Sequence, residues 1–144
     1  MKNKKLYYFL SYTWGLPMNL IGIIVEIFLK IIFKIRKKPL KYKKYGPCRV
    51  YEIGKTRWGG LDLGHVTLTN PDPSIHTLNH EFGHTLQNIV FGPFFIFIVW
   101  LPSAIRYNVR NIQKKFGKQL PPYDSIWFEG SATRLGDKYI DYYK

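Results

Sequence analysis

A chain of 144 residues with 46% apolar and 22% charged residues is sized for one compact domain and is too apolar to be disordered. Lys and Arg outnumber Asp and Glu by 22 to 9, and the net charge of +13 calls for an anionic partner, either nucleic acid or an anionic membrane face. The one cysteine, Cys48, rules out an intramolecular disulfide and with it a disulfide-stapled secreted fold.

Residues 6–29 carry a single charge, Glu26, and are long enough to cross a hydrocarbon core of about 30 Å as a helix. Pro17 suits the first turn of a helix, which is expected over 17–38. Glu26, Lys30 and Lys34 recur every fourth residue and so share one face, the pattern of a helix lying in a membrane interface or leaving it at a slant. From Lys30 to Arg49 there are nine basic residues and no acid. An apolar run abutting such a block is what an anionic leaflet attracts, at about 1 kcal/mol per basic residue, and it favours a membrane over a nucleic-acid arm. Lys2, Lys4 and Lys5 ahead of the apolar run also suggest a signal peptide. No small-residue cleavage site follows, however, and the run exceeds an h-region, so it reads as retained. If the helix spans, the larger basic flank on its C-terminal side puts the remainder in the cytoplasm. Residues 1–45 are therefore expected to form a membrane-associated helix with a basic segment, and 46–144 a small α+β domain.

In that second part, 49–53 and 61–69 alternate as strands do and predict a short antiparallel hairpin joined near Gly59-Gly60. Strand 61–69 is its edge, open to pairing with an extended peptide. Asp72 and Pro73 suit the N-cap and first residue of a helix over 73–90, which stops before Gly92-Pro93. Residues 89–105 carry no charge but are broken by Gly92-Pro93 and Pro102, so they form either core or a segment dipping into a membrane. After a basic linker, a last helix is expected over 125–143.

The 73–90 helix carries His80-Glu81-Phe82-Gly83-His84, an HExxH. Residues four apart stack on one helical face, so both imidazoles can reach one ion, and zinc accepts imidazole nitrogen in a four-ligand tetrahedron. Glu81, one step round the helix, can take a proton from a water at the open fourth position. Two histidines leave the metal short of a ligand. Glu129 is the acid of the apolar, small-residue stretch 127–136, and Gly130, Ser131 and Ala132 let its helix approach the first closely.

This arrangement over residues 60–138 resembles the gluzincin clan of metallopeptidases, in which HExxH supplies two ligands and a base and a Glu on the next core helix supplies the third ligand. The resemblance implies a zincin-like fold, Zn2+ held by His80, His84 and Glu129, and Glu81 as the base. Gluzincins place an acid three or four residues after that Glu to bond the first His; Ala132 and Thr133 stand there instead. The metzincin pattern is absent, since Gln87 takes the place of its Gly. GHTLQ followed by a Pro-broken apolar run is similar to small bacterial membrane-associated HExxH proteins. Sites of the gluzincin kind use a Tyr or His at the oxyanion, which makes Tyr123 and His65 candidates alongside ordinary packing. Asp124 is read either as a helix cap or as a group orienting a ligand His, and His76, in line with the other two histidines, as a neighbour and not a ligand.

The expected protein is a zinc metallopeptidase acting on peptide or protein substrates at an anionic membrane surface, with no nucleic-acid partner. The alternatives are a membrane-associated metal-binding scaffold without hydrolysis and a basic nucleic-acid-binding protein with an incidental HExxH. One constraint follows. A single membrane crossing by 89–105 would separate Glu129 from the histidines, so this run must be core or must return to the side it left.

Overall fold

The computed structural model describes residues 3–54 and 58–143, and Lys2 of the basic N-terminal flank lies outside them. Among the described residues, five α-helices and one four-stranded mixed sheet give an α+β fold. The helix expected over 17–38 is α2 (Leu16–Ile35), with Pro17 in its first turn, and a shorter helix, α1 (Lys4–Tyr12), precedes it.

The sheet differs from the expected hairpin. Its order is β1-β2-β4-β3, from β1 (Lys41–Tyr45), β2 (Cys48–Glu52), β3 (Gly60–Leu63) and β4 (Val66–Thr69). The run 61–69 is itself a hairpin, because Gly64, at φ +72, and His65 turn the chain back. β2 then pairs with β4 in parallel, Tyr51 opposite Leu68, and not with an antiparallel partner across Gly59-Gly60. β1 pairs antiparallel with β2 and comes from the basic block. Its lysines stand on an edge strand, where charge discourages pairing with other chains. The expected division after residue 45 thus falls in the turn between two paired strands.

Successive residues of β2 point to opposite sides of the sheet. Val50 packs with Phe82, Leu86 and Ile89 of α3 (Ile75–Phe91), together with Tyr7, Ile140 and Tyr143. Tyr51 packs on the other side with Leu68, Leu63, Val66 and Met18 of α2. The layers are therefore α2, sheet and α3. Gly22 brings α2 onto the sheet: a Cβ there would stand 2.2 Å from the Leu63 carbonyl oxygen. Glu26, buried on the inner face of α2, accepts hydrogen bonds from Lys30 Nζ (2.7 Å), Arg49 Nε (2.9 Å) and Tyr51 Oη (2.6 Å). Asn19 ties the same face to both neighbours, donating to the Ser11 carbonyl at 2.6 Å and accepting from His65 N–H at 2.9 Å.

Helix α3 begins two residues later than expected. Ser74 caps it, accepting from Thr77 N–H at 3.1 Å, while Asp72 takes φ +50 in the preceding turn. Gly92 ends it, and the chain turns through a 3₁₀ turn and a π-helical turn (Ile96–Trp100) into α4 (Leu101–Lys115), bent by 117° from α3. The last helix is α5 (Trp127–Tyr139). It packs on α3 at two bare points: a Cβ on Gly83 would meet Ala132 O at 1.8 Å, and one on Gly136 would meet Asn79 O at 1.8 Å. The small residues that allow the close approach are thus Gly83, Ala132 and Gly136, while Gly130 faces the Asp124 carbonyl.

Candidate metal centre

Because α3 and α5 touch backbone to backbone, side chains four residues apart on α3 meet the first turn of α5. His80 Nε2 and His84 Nε2 lie 3.2 Å apart, and each points at Glu129 Oε2, at 3.1 Å and 3.2 Å. A tetrahedral ion with bonds of about 2.0–2.1 Å needs ligand atoms about 3.3–3.4 Å apart, so this buried triangle matches one face of such a tetrahedron.

The hydrogen bonds around the triangle fix what its atoms can do. Thr133 Oγ1 donates to Asp124 Oδ2 at 2.8 Å and so accepts from His80 Nδ1 at 2.9 Å. Gln87 spends its amide N–H groups on the Phe128 carbonyl and Ser131 Oγ, both at 2.7 Å, so its oxygen accepts from His84 Nδ1 at 2.7 Å. Both neutral imidazoles therefore carry their proton on Nδ1 and a lone pair on Nε2. Ser103, from α4, donates to Glu129 Oε1 at 2.5 Å and leaves Oε2 for the triangle. Two lone pairs and a carboxylate oxygen thus converge without a proton between them, an arrangement that a cation relieves.

Glu81 lies beside this triangle in a cleft of about 550 Å³ walled by α3, β3, the π turn and α4. Its carboxylate sits over Gly60, where a Cβ would stand 2.3 Å from Oε1. Burial, with the charges of Asp62 and Glu129 adding to it, raises Glu81 to about 8. The walls are mostly apolar, with Leu61, Phe95, Val99, Trp100 and Tyr107.

Other expected residues fall as follows. Tyr123 lines the cleft, but its hydroxyl lies 3.2 Å from Ser103 Oγ, in the chain that holds Glu129. Burial and the Glu129 charge push that hydroxyl to about 12, so it stays protonated. Asp124 is not the cap of α5, which is Ile126; it is the acceptor behind Thr133. His65 is not in the cleft. It stacks on Tyr8 and Tyr12 and meets Tyr7 edge-on, holding α1 to the β3–β4 turn. His76 is exposed and faces Asp124 at 3.7 Å.

Four residues of the site were not read from the sequence: Thr133, Gln87, Ser103 and Asp62. Asp62 is buried, accepts from Thr85 Oγ1 at 2.6 Å and Gly64 N–H at 3.2 Å, and is pushed by burial to about 7. A polar residue between two leucines of a strand was the one signal available for it.

Compared with known proteins, the chain matches no family model, no curated protein and no solved structure.

Proposed function

We propose that this protein is a membrane-associated zinc metallopeptidase of the gluzincin kind, with His80, His84 and Glu129 as metal ligands and Glu81 as general base. One observation carries the reading: three proton-free donor atoms at tetrahedral spacing beside the carboxyl group of Glu81, at a cleft that His80, Glu81 and His84 line. Bound zinc would supply the Lewis acidity that polarises a peptide carbonyl and makes water a better nucleophile. Glu81 takes the proton of the attacking water and can pass it to the leaving amine. Edge strand β3 offers free backbone groups along the cleft, so an extended peptide can add to it.

Attachment to a membrane is supported by α2, which is long and apolar enough to cross one and has only 22% of its apolar window buried. The basic block after it points to an anionic, cytoplasmic leaflet. Glu81→Gln tests the reading as a whole. The variant should keep stoichiometric zinc and lose cleavage of an internally quenched mixed-sequence peptide library in the presence of vesicles. Equal cleavage by both proteins rejects the mechanism, and zinc binding with no cleavage by the parent leaves a metal-binding scaffold.

A further inference from the structure

Helix α4 has two faces. Trp100, Ser103, Ala104 and Tyr107 line the metal cleft. Round the other side, Ile98, Leu101, Ile105, Val109, Ile112 and Phe116 recur at helical spacing, each between 39% and 79% exposed. A stripe of this length on a helix that walls a catalytic cleft has no packing role among the described residues. Its flanking sequence is basic: from Phe82 to Tyr123 there is no acid, and Arg106, Lys114, Lys115 and Lys118 belong to or follow α4.

The start of α2 meets the turn that leads into α4. Met18 of α2 shares a buried core with Phe95 and Val99 of that turn, and Trp14, just before α2, meets Phe94 edge-on, 6.5 Å between ring centroids. Because Met18, Asn19, Gly22 and Glu26 pack α2 against the sheet, it lies along the domain and does not project from it. The occupant of the exposed α4 stripe is constrained by charge. A second copy would bring another +13 against the first, whereas anionic lipid satisfies both the apolar stripe and its basic border.

We infer that α4 is a second lipid-facing element, lying in the plane of an anionic bilayer beside α2, and that the cleft behind it takes bulky apolar segments of polypeptide presented at that bilayer surface. The substrate half of this inference rests on the peptidase reading; the lipid half does not.

The test uses the full chain with a single environment-sensitive fluorophore on a cysteine introduced by Ile112→Cys, by Ile24→Cys on α2, or by Lys138→Cys as a polar control; native Cys48 is buried. Each is titrated with phosphatidylcholine vesicles with and without phosphatidylserine. Blue shifts at 112 and 24, absent at 138 and dependent on phosphatidylserine, are expected. A shift at 24 alone overturns the inference while leaving attachment through α2 intact, and no shift at either position overturns both. For the substrate half, Ile105→Glu with Ile112→Glu should lower, at least tenfold, the ratio of cleavage of a lipid-anchored apolar peptide to that of its soluble form. An unchanged ratio overturns that half. A parent that cleaves neither peptide rejects the peptidase reading on which it rests, while the fluorophore still decides the lipid contact.

Discussion

Thr133 Oγ1 stands between His80 Nδ1, at 2.9 Å, and Asp124 Oδ2, at 2.8 Å, so that a hydroxyl links the first histidine of the triangle to a carboxylate. That carboxylate comes from the turn before α5. Groups that orient a metal-ligating histidine are worth about 10–100-fold in metal affinity. Thr133→Val and Asp124→Asn should each weaken zinc binding by about that factor in competition titrations with a chromogenic chelator. Thr133→Asp in the Asp124→Asn background should recover most of the loss, which a purely structural role for either residue would not predict.

The triangle of His80, His84 and Glu129 should hold about one zinc per chain, measured by elemental analysis. Glu129→Ala should lose most of it. Because chelation leaves two lone pairs facing a buried carboxylate, it should also lower the melting temperature of the parent far more than that of Glu129→Ala. Equal chelator effects on the two proteins would place the metal elsewhere.

Gly60 seats the Glu81 carboxylate, and the position has no room for a methyl group. Gly60→Ala should therefore displace the base while leaving the ligands in place. The expected result is normal zinc content with hydrolysis reduced by about 10²-fold or more, the usual worth of a positioned general base. Full activity in this variant would mean that Glu81 works from another position.

His65 is buried among three tyrosine rings, and burial lowers its pKa from 6.5 to about 4. The unfolded chain therefore takes up this proton first as pH falls. The stability linked to it is whole above pH 6.5 and is lost between 6.5 and 4. At pH 5 the loss is about 2 kcal/mol. Urea midpoints measured at pH 7 and pH 5 should fall by correspondingly less in His65→Gln, and an identical fall in both proteins would rule this residue out.

The triangle of His80, His84 and Glu129 was legible in the sequence because the HExxH spacing puts both histidines on one helix face and because Glu129 is an acid in an apolar stretch. The groups behind them were not. Thr133, Gln87 and Ser103 are ordinary helix residues whose roles come from contacts up to 53 residues apart, and no local periodicity reports such contacts. The sheet was legible in content but not in order. The alternation through 61–69 reads as one strand until Gly64 turns it, and Lys41–Tyr45 reads as part of a basic block because three of its five residues are lysines. His65 looked like a cleft residue by its place before the metal helix, but the turn it occupies faces α1 instead.

The buried Glu26 sets an order of events for the birth of this protein. A segment handed to the translocon before the sheet has formed would carry that carboxylate into hydrocarbon without Arg49 and Tyr51, at a cost of several kcal/mol. Insertion ahead of folding is therefore disfavoured, and α2 should reach lipid only as the outer layer of a finished domain, after release from the ribosome. In a cell-free reaction, membranes added after synthesis should capture the parent as fully as membranes present throughout, while Glu26→Leu should gain a fraction that inserts only during synthesis.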